Sequence, residues 1–141
     1  MAQTSFENPT DDVIAAILSR PRRVAVVGCS PDPSRDSHRI ALLLQEKGHT
    51  VVPVNPNVDS VLGTACYPTL AQVPGAIDMV DIFRRSSEVA PIVDEAIAIG
   101  ARIVWMQLGV VDEQAARRAR QAGLTVVMDR CPAIEYRRLL P

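Results

Sequence analysis

A chain of 141 residues, 48% hydrophobic and 22% charged, is enough for one domain with a real core. Its formal net charge of −1 excludes a global electrostatic grip on nucleic acid or on an anionic membrane, so any anion must be held by a local basic cluster. No apolar run approaches the length that spans a bilayer, and MAQTSFENPTDD lacks the basic and apolar regions of a signal peptide, so the expected location is the cytoplasm.

In chain order, Asp11-Asp12 followed by Val13, Ile14, Ile17 and Leu18 predicts a short helix ending before Pro21. Residues 1–20 are then a helical extension packed on a single domain that takes in the whole of 1–141. Val24-Ala25-Val26-Val27 reads as a strand buried on both faces of a parallel sheet. A helix is predicted from Ser37 to Lys47, with Ile40, Leu43 and Leu44 on one face and Gly48 as its stop. Thr50 to Val54 is a second strand. The stretch from Asn55 to Asp78 is the least regular, carrying Asn-Pro, Tyr-Pro and Pro-Gly signals and one short helix near Leu70. Met79 to Phe83 is a third strand. Ser86 or Ser87 caps a helix whose apolar face is Val89, Ile92, Val93, Ala96 and Ile97, with Pro91 tolerated in its first turn. Arg102 to Met106 is a fourth strand, Asp112 opens an alanine-rich helix, Leu124 to Met128 is a fifth strand, and Pro132 to Leu139 closes the chain as a turn or helix. This alternation predicts an α/β, Rossmann-like, doubly wound and mainly parallel five-stranded sheet with helices on both faces.

In such sheets ligands bind outside the carboxyl ends of the strands. The residues just after each strand are therefore the candidates, and the basic ones collect there. After the first strand, Gly28 lets the backbone turn sharply, and Cys29, Ser30 and Arg35 follow. The helix beginning near Ser37 offers unpaired N–H groups, and Arg35 and His38 add donors. An anion, most simply a phosphate, suits that loop; a tight turn with solvated charges is the plainer alternative. After the second strand come Asn55, Pro56 and Asn57, after the third Arg84 and Arg85, after the fourth Gln107, Leu108 and Gly109, and after the fifth Arg130 and Cys131. A G-x-G-x-x-G string is absent, and the second strand ends in Val54-Asn55 instead of an acid. Both departures disfavour NAD or FAD while leaving a phosphate-bearing nucleotide open.

Nothing here assembles into a catalytic pair. Of the two histidines, His49 follows Gly48 and is expected to be exposed at a helix end, and His38 is better placed as a phosphate donor than as a base. No metal-ligand cluster is evident. Asp81 and Asp129 are expected to hydrogen-bond neighbouring loops, Trp105 to pack in the core, and Arg39 to be surface charge. Three cysteines without C-x-x-C spacing argue against a disulfide or a zinc site. Cys29, beside a helix N-terminus and Arg35, has a setting that lowers thiol pKa. Cys131 is expected on the same sheet edge, about two strand spacings or roughly 10 Å away, too far for a disulfide between them. The plainer reading makes both small, partly buried fillers.

The residues Val27 to Ser37 (VGCSPDPSRDS), Val51 to Pro56 (VVPVNP), Gly63 with Cys66-Tyr67-Pro68, Val80 to Arg84 (VDIFR), Val104 to Gly109 (VWMQLG) and Met128 to Pro132 (MDRCP) resemble the small stand-alone CoA-binding proteins. These are similar in fold to the CoA-binding domain of the succinyl-CoA synthetase α subunit. The resemblance implies a ligand, coenzyme A or an acyl-CoA. It implies that Gly28, Cys29, Ser30 and Arg35 meet the phosphates, that Val54, Asn55 and Pro56 flank the adenosine, and that Phe83 and Arg84 complete the pocket. CoA is a polyanion, and Arg35, His38, Arg39, Arg84 and Arg85 are the local positive charge available for it, with Arg35 and Arg84 foremost. The synthetases need a further domain bearing a phosphorylated histidine, so the expectation is binding without catalysis. A nicotinamide-nucleotide enzyme or redox sensor on the same fold is the rival, and a homodimer is left open. A mixed disulfide between CoA and Cys29 or Cys131 would make binding redox-sensitive.

Overall fold

The structure, a computed structural model, describes residues 6–141; the first five residues of the expected N-terminal extension lie outside the described part. In chain order the strands are β1 (Arg23–Val27), β2 (Thr50–Val54), β3 (Ser60–Val61), β4 (Thr64–Ala65), β5 (Met79–Ile82), β6 (Ile103–Gln107) and β7 (Thr125–Arg130). The helices are α1 (Asp11–Ser19), α2 (Asp36–Glu46), α3 (Val89–Ala98), α4 (Glu113–Gln121) and α5 (Pro132–Leu139). Five strands form one parallel sheet in the order β2-β1-β5-β6-β7. This is the Rossmann-like α/β arrangement.

Apolar side chains alternate across the sheet and build two cores. On one face Ala25, Val80, Val104 and Val126 pack under α3 and α4, where Ala115, Ala116 and Ala119 let α4 approach closely. On the other face Val24, Val26, Met79, Trp105 and Val127 pack under α1, α2 and α5. Burial on both sides explains the unbroken β-branched runs, each such side chain contributing about 1.5–3 kcal/mol. Trp105 is fully buried as expected, and its indole N–H donates to the Arg130 carbonyl at 2.9 Å. Two arginine–carboxylate contacts at 2.8 and 2.9 Å join Arg138 of α5 to Asp11 of α1.

Four local expectations are corrected. The irregular stretch contains a small hairpin, β3 and β4, besides a single 3-10 turn at Leu70–Gln72. Its two-residue strands are too short to show a period of two. Ser86 does not cap α3. It starts a 3-10 turn, Ser86–Glu88, and its Oγ accepts the Val111 N–H at 2.9 Å, tying the post-β5 loop to the post-β6 loop. His49 is buried, not exposed. Its Nδ1 accepts the Arg22 N–H at 3.1 Å, so the proton sits on Nε2, 2.7 Å from the Tyr136 hydroxyl, which donates to the Leu18 carbonyl at 2.9 Å. A bonded imidazole thus links α1, the start of β2 and α5. Finally, the strand order places β7 three spacings from β1, about 14 Å and not two spacings.

Candidate functional site

The crossover after β1 runs through α2 on one face of the sheet, whereas those after β5 and β6 run through α3 and α4 on the other. Loops that part in opposite directions leave a crevice at the carboxyl ends of β1 and β5, where open α/β sheets bind ligands. A cleft of about 990 Å³ begins there. Ile40 and Leu43 of α2, Phe83 after β5, Leu108 and Val110 after β6 and Ala133 of α5 give it an apolar lining. Arg39, Arg84 and Arg85 supply positive charge along the same cleft. Its two acids are paired, Asp36 with Arg39 and Glu88 with Arg84 at 3.7 Å. Both pairs are solvent-exposed and worth little, so a phosphate can take over the arginines at small cost. Gln107 and Cys131 complete the lining at the β6–β7 end.

The first loop abuts this cleft at Gly28. Its φ is +87°, and a Cβ placed there would lie 2.3 Å from the Phe83 carbonyl oxygen and 3.0 Å from Cδ of Arg84. Only glycine allows both the left-handed turn and that approach. The Gly28 N–H donates to the Val54 carbonyl at 2.8 Å, and the Asn55 side-chain amide donates to the Cys29 carbonyl at 2.9 Å. Asn55, standing where a dinucleotide fold would carry an acid, is therefore a brace between the two loops. Ser37 is likewise engaged, its Oγ accepting the Ser30 N–H at 3.0 Å, while the Ser30 Oγ accepts the Asp32 N–H at 3.1 Å.

Of the residues proposed from sequence, Phe83, Arg84 and Arg85 line the cleft. Gly28 touches its wall. Ser30, Arg35, Ser37, His38, Asn55 and Pro56 stand on the adjoining loops after β1 and β2 and on the first turn of α2, outside the cleft lining, with Cys29 and Val54 buried beneath them. Arg35 is the exposed N-cap residue of α2. Arg39 is the residue that sequence reasoning set aside as surface charge; it lies one turn past Arg35, and that spacing was the available signal. Of the two readings of Cys29, the structure favours the plainer one, a buried filler, over an activated thiol. The residue is fully buried, and burial, reinforced by nearby Cys66 and Asp81, pushes its thiol up to about 12. As a thiol that deprotonates so reluctantly, Cys29 is a core filler. Asp129 meets its expectation, accepting the Gly109 N–H at 2.7 Å. Asp81 does not: it is fully buried in β5 with neither oxygen hydrogen-bonded, and burial raises its carboxyl well above the usual carboxylate range. Among the described residues no group of three or more His, Cys, Asp or Glu side chains is arranged to hold a metal ion, and no helix is long and apolar enough to cross a membrane.

A cleft of this kind, apolar within and basic at its margin, stands on a chain with close relatives. It is 38% identical over 131 residues to the Bacillus subtilis protein YneT, covering 93% of this chain and 97% of that one. A solved structure of a hypothetical protein from Pyrococcus horikoshii OT3 matches with a TM-score of 0.91 and 38% identity, covering 100% of this chain and 99% of the other. The ADP-forming acetate–CoA ligase II of Archaeoglobus fulgidus is 36% identical over 67 residues, which span 46% of this chain and 10% of the ligase. The profile of the CoA binding domain matches residues 22–137, and the chain belongs to that family.

Proposed function

We propose that this protein binds CoA or an acyl-CoA across the carboxyl edge of its sheet, as a binding module without a reaction of its own. The observation that carries the reading is the cleft of about 990 Å³ at the switch point, with arginines from two separate elements along it. The nucleotide end lies over the first loop and the end of β2, where Arg35 and His38 stand beside the α2 N-terminus and Val54, Asn55 and Pro56 flank the adenosine. The pantetheine arm, largely apolar, runs down the cleft past Phe83 toward β6 and β7. Each charge-assisted phosphate contact in such a site contributes about 1.5–3 kcal/mol. Three free cysteines suit a reducing cytoplasm.

The test is a thermal-shift and calorimetric panel on the purified chain. CoA and acetyl-CoA should raise the melting temperature at micromolar to millimolar concentrations, and NAD(H) should not. A shift with NAD(H) alone would replace this reading with a nicotinamide one. Mass spectrometry of small molecules released on denaturing freshly purified protein would show whether free CoA or an acyl-CoA is carried.

A further inference from the structure

The cleft ends on a thiol. Cys131 lines it at the foot of β7, partly exposed, as the N-cap residue of α5. The other two cysteines are otherwise disposed: Cys29 is fully buried, and the Cys66 Sγ lies 3.6 Å from the Asn55 carbonyl oxygen it donates to.

A second feature of the same end points to a ligand. Gln107 pairs in register with Arg130, the residue before Cys131, and its side chain also lines the cleft. It is 6% exposed, and its Oε1 has no hydrogen-bond partner. A buried acceptor without a donor is costly, and a ligand N–H entering the cleft would satisfy it. The pantetheine arm carries two amide N–H groups close to its terminal thiol.

The layout fixes which end of the ligand arrives there. With the phosphates at the first loop, the arm must run from β1 toward β7, about 14 Å across three strand spacings. An arm of this length, equivalent to about four residues of extended chain, reaches roughly 14 Å. Its sulfur then falls at the β7 end.

On the CoA reading proposed above, we propose that Cys131 is a redox site that captures the ligand's sulfur as a mixed disulfide, with the disulfide form of CoA as the oxidant. The Cys131 thiolate attacks one sulfur of that disulfide. The bond between the two CoA sulfurs breaks, a Cys131–CoA disulfide forms, and the second CoA leaves as a thiolate that takes a proton from water. One protein thiol is oxidised and one CoA is released reduced, so atoms and electrons balance. Gln107 positions the arm by accepting an amide N–H. The adduct holds the ligand until a thiol reductant releases it, so the redox state of the surroundings sets how long the cleft stays filled.

The experiment incubates the reduced chain with CoA disulfide and, separately, with oxidised glutathione, followed by non-reducing intact mass and peptide mapping. One CoA per chain is expected, mapped to Cys131 and released by dithiothreitol, forming at least tenfold faster than the glutathione adduct. Gln107→Leu should slow the CoA adduct several-fold and leave the glutathione rate unchanged. Labelling at Cys29 or Cys66, equal rates with the two disulfides, or no adduct would overturn the assignment. Calorimetry of the wild-type chain with reduced CoA separates the two failures. Binding without an adduct removes this inference alone, and no binding removes the functional reading with it.

Discussion

The carbonyl oxygen of Phe83 sits where a side chain on Gly28 would begin: a Cβ there would lie 2.3 Å away. The two residues belong to loops that leave the sheet in opposite directions, and their approach sets one wall of the cleft. Gly28→Ala therefore carries two penalties, a left-handed φ of +87° and a collision with backbone that cannot swing aside. Together these amount to about 2–5 kcal/mol, lowering the melting temperature on the order of 10 °C. Gly123→Ala is the control, since Gly123 has φ +95° but open space around its missing Cβ. Thermal unfolding should show the larger loss at residue 28, together with loss of the CoA-induced shift; equal losses would mean that the Phe83 contact is immaterial.

Arg39 and Arg84 approach the cleft from α2 and from the loop after β5. Alanine at either should weaken CoA by about tenfold, the lower end of a charge-assisted contact on an exposed side chain. Unliganded stability should hardly move, because each arginine gives up only a surface ion pair. Arg35 stands outside the lining, and Arg35→Ala should cost less in calorimetry than Arg39→Ala. A larger loss at Arg35 would centre the phosphates on the α2 N-terminus, away from Arg39 and Arg84.

The regular elements were legible because their signals are local. The run Thr50–Val54 and the terminal Pro132–Leu139 are delimited by turn residues, and the structure returns the same bounds. The misses at His49 and Ser86 depend on partners distant in sequence, whereas the β3–β4 hairpin was missed because its strands are only two residues long. Nothing near His49 announces Tyr136, 87 residues on, which turns an apparent helix-end histidine into a buried link. Ser86 looks like a cap until Val111 claims its hydroxyl. Arg39 is surface charge as read, its side chain 62% exposed; what its neighbours in sequence do not show is that the α5 and β5 loop residues form a cleft beside it. Cys29 illustrates competition between effects: the helix end and Arg35 favour the thiolate, but complete burial outweighs them.

His49 makes stability depend on acid. Burial lowers its pKa below the ordinary value of 6.5, and the neutral ring is the form that accepts the Arg22 N–H. The unfolded chain therefore binds the proton first as pH falls, and the contribution of His49, complete above 6.5, is lost progressively below it. In urea unfolding, the stability difference between wild type and His49→Gln should shrink between pH 7 and pH 5. Tyr136→Phe, which strips Nε2–H and the Leu18 carbonyl of their shared partner, should cost about 1–3 kcal/mol at pH 7.5. A pH-independent difference would mean that the ring titrates alike in the folded and unfolded chain, and a difference that grows toward pH 5 would mean that the folded ring is charged.

Asp81 has the opposite sign. It lies in register with Val26 and Trp105 in the middle of the sheet, with both oxygens lacking partners. Burial raises its folded pKa well above 3.8, so the native state retains a proton that the unfolded chain gives up. Stability on this account is greatest below the unfolded pKa and declines as pH rises toward the folded value, by up to about 1.4 kcal/mol per unit while the two states differ by one proton. Asp81→Val removes both the orphaned oxygens and the titration, and a β-branched side chain suits a strand buried on both faces. The variant should be more stable than wild type by about 1–3 kcal/mol at pH 8, with the gain falling as pH drops toward 4. Asp81→Asn separates the two contributions, since it abolishes the titration but leaves a buried amide to satisfy; it should flatten the pH dependence without the valine's gain. Should the valine variant prove less stable at every pH, the carboxyl must be supporting the sheet through a hydrogen bond, and the burial of an unpartnered acid at this position would no longer describe the protein.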